Sequence, residues 1–289
     1  MRAGTRRTIA ALLLWGCLFA LCGGGALAAG EETDGVRVYV DGLLRCRAVS
    51  DESGVWLAAE DLCALLDIDA GCARDAETGE VTLFASGFTL TAAPGREYLA
   101  VNGRYLYEPD GPRLRDGTLW LSLDDAGKIF GGDPKLSDDG LRVDLDGRAL
   151  ALLPGGAAWY YDEFGSDKVF WLARIIRAEA GGQPLAGRIG VGNVVLNRVE
   201  SELYPDEVFG VVFDDKFAIQ FDPAYSGTVY KEPEELDVVA ACLCLEGCNT
   251  VGESMYFVNP ALADDSWFRN TKEFVIRIGD HDFYRLKQG

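Results

Sequence analysis

From Val36 the chain alternates. Val36, Val38 and Val40 fall on one side and Arg37 and Tyr39 on the other, the two-residue period of a half-buried strand. From about residue 167 the period lengthens to that of a helix. In DKVFWLARIIRAEAGGQPLAGRIGVGNVVLNRVE, residues 167–200, Val169, Leu172, Ile176 and Glu179 are spaced by three, four and three, so they share one helical face. Gly181-Gly182-Gln183-Pro184 breaks that helix. A second helix follows in which Ile189, Val191, Val194, Val195, Leu196 and Val199 point in nearly every direction, as in a centrally buried helix. Residues 234–241 lead helically into Cys242. Residues 255–258, 274–278 and 281–284 read as three strands, the last two joined by a turn at Gly279-Asp280.

Residues 31–150 hold an internal repeat. Val40-Asp41-Gly42 matches Val101-Asn102-Gly103, residues 54–62 (GVWLAAEDL) match residues 118–126 (TLWLSLDDA), and residues 80–83 match residues 142–145. Each unit reads as strand, short helix (residues 61–66 and 125–130) and closing strand, with turns at Asp41-Gly42, Asn102-Gly103 and Asp146-Gly147. Trp56 and Trp120 hold equivalent positions, and equivalent apolar positions in a repeat predict core. Leu153-Pro154-Gly155-Gly156 reads as a linker. The fold class expected is α+β: an N-terminal α+β repeat domain at 31–150, a linker at 151–166, and a mainly helical domain with a small β-sheet at 167–289.

Ahead of these elements, Arg2, Arg6 and Arg7 precede an apolar run from Ile9 to Leu21 and an Ala26-Leu27-Ala28 site, the pattern of a secretory signal peptide cleaved near Ala28. That run approaches membrane-spanning length, so an uncleaved anchor is the alternative. Loss of residues 1–28, which hold three Arg and no acid, takes the formal charge from −19 to −22. Such a balance argues against nucleic acid and anionic membranes as partners. After processing, Cys46, Cys63 and Cys72 lie in the first half and Cys242, Cys244 and Cys248 in the second. Three per half forbids a complete disulfide set within each domain. Cys244 and Cys248, four apart, would share a helical face. With one His in the chain, buried thiols are favoured over a metal site, and no cofactor is implied.

Glu179 ends an apolar stripe. Desolvation there penalises the charged form and raises the pKa, and a carboxyl group still protonated near neutrality can act as a general acid. The alternative is a Glu paired with Arg174 or Arg177. Asp214-Asp215 and Asp264-Asp265 lack the ligand ladder of a calcium loop and read as solvated charge. Tyr256 and Asn259 offer a hydroxyl and a carboxamide for hydrogen-bonding a polar ligand. His281, with no Cys or Ser motif beside it, reads as orienting or structural.

LARIIRAEAGGQP, GVGNVVLNRV, Gln220-Phe221, Met255-Tyr256-Phe257-Val258-Asn259-Pro260 and His281-Asp282-Phe283-Tyr284, in that order, resemble the SleB-type family of cell-wall hydrolases, the spore cortex-lytic enzymes. The resemblance implies a lysozyme-like catalytic domain that cuts peptidoglycan glycan strands, with Glu179 as catalytic acid and Gln220-Phe221 beside the cleft. It also implies a lytic transglycosylase. One carboxylate would protonate the leaving oxygen, then take a proton from the muramyl 6-hydroxyl to give a 1,6-anhydro product. A hydrolytic muramidase and a decayed peptidoglycan-binding protein are the alternatives, and no second acid stands out in the sequence. The family's usual Arg-Gly-Glu after Ala-Glu-Ala is Gly181-Gly182-Gln183 here, so no role for that Arg and Glu carries over. Residues 35–146 are similar to the stalk-like domain named after the N-terminus of copper amine oxidases, which implies neither copper nor catalysis. The sequence names no inhibitory or stabilising protein partner.

Overall fold

The computed structural model describes residues 35–152, 166–216 and 219–287. The signal segment and the Pro-Gly-Gly linker lie outside the described residues.

The first half runs β1 (Val36–Val40), β2 (Leu43–Asp51), β3 (Gly54–Ala58), α1 (Ala59–Leu65), β4 (Gly71–Arg74), β5 (Val81–Ala85), β6 (Phe88–Ala92), β7 (Tyr98–Val101), β8 (Arg104–Tyr107), β9 (Arg113–Arg115), β10 (Thr118–Ser122), α2 (Leu123–Phe130), β11 (Lys135–Leu136) and β12 (Arg142–Leu145). One sheet has the order β11-β12-β1-β2-β3-β10-β9 and the other β4-β5-β6-β7-β8. The β1–β2 and β7–β8 hairpins turn at Asp41-Gly42 and Asn102-Gly103. All four residues have positive φ, from 47° to 82°, the backbone that a two-residue type I′ turn demands. β3 and β10, equivalent in the sequence repeat, pair antiparallel, with Leu57 opposite Leu121, and each leads into a short helix.

On these two strands burial goes to Leu57, Leu119 and Leu121. Trp56 and Trp120 are on the other face and only half-buried, which corrects their expected core placement. The period of two gives the core to the leucines, and Arg113 covers Trp56 at 4.3 Å from its ring centre.

The second half contains α3 (Ser166–Ala180), α4 (Leu185–Val199), α5 (Val208–Val212), α6 (Asp222–Ser226), α7 (Glu235–Leu245), β13 (Tyr256–Val258), α8 (Ser266–Thr271), β14 (Lys272–Ile278) and β15 (His281–Leu286). The three strands form an antiparallel sheet of order β13-β15-β14. α3, α4 and α7 pack on one another, and α4 is buried at Leu185, at residues 187–195 and at Arg198. Gly192 allows this approach: a Cβ there would sit 2.6 Å from Cys244 Sγ and 3.0 Å from Ile176 Cδ1.

Two residues past the end of α7, Gly247 takes a φ of 91°. The Gly247 and Cys248 amides donate back to the carbonyls of Cys244 and Leu243, both at 3.0 Å, the two bonds of a Schellman cap. Cys248 therefore leaves the helix and does not share a face with Cys244. Cys242 and Cys244 are 3% and 4% exposed, and burial holds their thiol pKa values above the ordinary range.

Two hydrophobic cores meet at the β7–β8 hairpin. Tyr98, Tyr105 and Tyr107 pack against the helical core. Arg104 pairs with Glu246 just beyond α7 at 2.8 Å and donates to the Lys128 carbonyl at 3.0 Å. The described residues cluster as one compact unit.

Candidate active site

The turn after α3 fixes where Glu179 stands. Arg188, 6% exposed on α4, donates to the carbonyls of Gly181 and Gln183 and pairs with Asp237 of α7, which is fully buried. Asp237 also accepts from the Glu234 amide at 2.8 Å, as half of a reciprocal capping box. A buried charge so fully partnered holds three elements in register. The Gln183 side chain then ties the turn to the β14–β15 turn. Its Nε2 donates to Asp280 Oδ2 at 3.1 Å and its Oε1 accepts from the Asp280 amide at 2.9 Å. Arg174 pairs with Glu232 and Arg177 with Glu234, both at 2.6 Å. Both arginines thus serve the start of α7, and Glu179 has no ion-pair partner among the described residues.

The polar residues of GVGNVVLNRV staple α4 to the loop that enters β13. Asn193 Nδ2 donates to the Cys248 carbonyl at 2.7 Å. Asn197 Nδ2 donates to the carbonyls of Gly252 and Ser254 at 2.7 and 2.8 Å, and Arg198 Nε donates to that of Met255 at 2.8 Å. Loop carbonyls with no sheet partner are satisfied this way, and the loop is held where it enters β13 at Tyr256.

Between these parts lies a cleft of about 1200 Å³. Glu179, Gln220, Tyr256, Asn259 and His281 all line it, so the structure brings together five of the six residues picked out in the sequence. Phe221 is the correction. It is 2% exposed and packs under Arg198, 5.0 Å from the guanidinium, and beside Phe257, so it supports the floor and does not meet a ligand. Asn259 also accepts from the Ala261 amide at 3.0 Å. His281 is 5% exposed and packs on Phe257 with ring centres 5.2 Å apart. Burial holds its pKa below the ordinary value and the imidazole neutral.

The cleft also contains residues that the sequence reading did not select: Arg198, Asp222, Tyr204, Asp214 and Trp267. Arg198 had a legible signal, because a charge in a helix that is apolar on all sides has no solvent to meet. Asp222 had none. It reaches the cleft only through the fold, at the first turn of α6. Burial, together with the negative charge of Asp222, pushes the Glu179 pKa up to about 7, against the opposing pull of Arg198. Tyr204 and Tyr256 share a hydroxyl contact at 3.3 Å, and burial raises the Tyr204 pKa to about 12. The arrangement presents a proton-bearing carboxyl group at neutral pH, a nearby second acid, and tyrosine, amide and indole groups suited to a sugar.

Residues 182–284 match the Cell Wall Hydrolase family model, beginning three residues after Glu179. The chain is similar to the spore cortex-lytic enzyme of Bacillus subtilis (strain 168), 31% identical over 133 residues, which are 46% of this chain and 40% of that protein. It is likewise similar to the spore cortex-lytic enzyme of Halalkalibacterium halodurans, 31% identical over 120 residues, 42% of this chain and 35% of that protein. The chain thus spans about two-fifths of the length of these curated relatives. Among solved structures, the catalytic domain of the germination-specific lytic transglycosylase SleB from Bacillus anthracis aligns at 27% identity over 43% of this chain and 99% of that one, with a TM-score of 0.39.

Proposed function

We propose that residues 167–289 form an extracytoplasmic enzyme that cleaves peptidoglycan glycan strands, of spore cortex or of cell wall, as a lytic transglycosylase. The observation that carries the reading is Glu179: a carboxyl group with no ion pair among the described residues, pushed to a pKa of about 7, on the wall of a cleft large enough for a sugar chain. The Cell Wall Hydrolase match supports the substrate class. Protonated, Glu179 gives its proton to the glycosidic oxygen as the bond to the anomeric carbon breaks. Ionised, it takes the proton of the muramyl 6-hydroxyl as that oxygen bonds to the same carbon, so the carboxyl group is restored and the product carries a 1,6-anhydro end.

The positive charge that develops on the sugar ring is offset by Asp222. That residue also favours a second reading, a hydrolytic muramidase. There a water replaces the internal hydroxyl and two carboxyl groups divide the work. The stalk-like first half has no catalytic part in either reading and positions the enzyme on the wall. Mass spectrometry of digested glycan strands separates the two: anhydromuramic ends support the transglycosylase, and reducing ends the muramidase.

A further inference from the structure

Arg198 has an unmet bond. Its side chain is 4% exposed and forms part of the cleft wall. Nε is satisfied by the Met255 carbonyl, but Nη1 is buried with no acceptor, and Arg198 forms no ion pair among the described residues. The rings of Tyr204, Phe221 and Tyr256 lie 5.1, 5.0 and 5.8 Å from the guanidinium carbon. They attract the charge but offer no in-plane acceptor. A buried charged donor left unmet is costly, and a cleft wall is where a ligand can supply the acceptor. Glu179, Asp214, Asp222 and Asp280 line the same cleft. A full anion would meet all four acids, whereas a neutral carbonyl oxygen would not.

We infer that Arg198 is a specificity-determining residue whose guanidinium donates to an amide carbonyl oxygen of the glycan. This rests on the glycan-cleaving reading above and adds to it the group that is recognised. Two carbonyls on such strands have this chemistry: the 2-acetamido oxygen of an amino sugar and the oxygen of a muramic lactam.

The test is equilibrium binding of peptide-stripped glycan strands to Glu179→Gln, which suppresses turnover, with Arg or Lys at position 198. Both side chains carry one positive charge, so the comparison isolates the planar donor. Arg198→Lys should weaken binding of N-acetylated strands about 10–100-fold and change binding of de-N-acetylated strands by no more than about threefold. On lactam-bearing strands, a Lys effect that survives de-N-acetylation assigns the oxygen to the lactam, and one that vanishes assigns it to the acetamido group.

Equal losses on acetylated and de-N-acetylated lactam-free strands would make Arg198 merely structural and overturn the inference alone. So would a Lys effect confined to strands that keep their stem peptides, since the acceptor would then be a carboxylate. No binding of any strand overturns the glycan reading along with it. A thermal melt checks the fold of the Lys variant. If that variant does not fold, the preference of Glu179→Gln for acetylated over de-N-acetylated strands decides, and its absence overturns the inference.

Discussion

Glu179 sits where two opposed demands meet. The proposed mechanism needs its proton, and burial supplies it by disfavouring the carboxylate. The ordinary Glu pKa is 4.5 and the folded value is about 7, so between these limits the folded chain binds more protons than the unfolded one. Stability from this group therefore falls as pH rises from about 4.5 to 7, and the full penalty, roughly 2–4 kcal/mol, is present above 7. Glu179→Gln should be more stable than the parent at pH 8 and differ little at pH 4, as chemical denaturation at the two pH values would show. The same protonation predicts that the parent's activity falls as pH rises through about 7. An unchanged rate from pH 6 to 9 would exclude Glu179 as the acid. The position of Glu179 was legible because an acid at the end of an apolar stripe breaks a pattern. Its freedom from Arg174 and Arg177 was not, since both choices share that helix and only the packing of α7 shows where the arginines go.

At the scale of elements, the two long helices, the glycine turn and the three C-terminal strands were readable from period and punctuation. What sequence could not show was why GVGNVVLNRV is built as it is. Gly192 meets Cys244 and Ile176, and Asn193, Asn197 and Arg198 meet a loop more than fifty residues away. Such pairings have no local signature. Gly192→Ala should destabilise the protein by about 1–3 kcal/mol through overpacking. Cys244→Ala removes the sulfur that the new methyl would strike, so the double variant should recover part of the loss in a thermal double-mutant cycle. Strictly additive losses would mean that the helix contact is not the cause. Trp56 and Trp120 teach a related lesson. Repeat equivalence showed that they match each other, but the strand period decided which face they occupy.

For the whole molecule, the repeat and the Pro-Gly-Gly stretch pointed to two domains; the structure has two hydrophobic cores, and the second takes in Tyr98, Tyr105 and Tyr107 from the first half. Across the division between the halves run the tyrosines of the β7–β8 hairpin and the Arg104–Glu246 pair, with both side chains 13% exposed. Proteolysis within residues 151–166 should therefore give two folded fragments that stay together on a sizing column at low salt. Glu246→Ala should loosen them, since it strands a buried guanidinium. Fragments that separate at once in the unmodified protein would show the contact to be too weak to matter. Residues 167–289 alone should keep glycan cleavage, because every described residue that lines the cleft comes from this half.

The central claim is that one carboxyl group at Glu179 carries both proton transfers on a glycan strand. Digestion of purified peptidoglycan by the parent and by Glu179→Gln, read by mass spectrometry, tests it most directly. The parent should release muropeptides with 1,6-anhydromuramic ends, and Glu179→Gln should release them at least about 10²–10⁴-fold more slowly while keeping its fold. Undiminished cleavage by Glu179→Gln would contradict the assignment of Glu179, and reducing ends from a Glu179-dependent parent would contradict the transglycosylase.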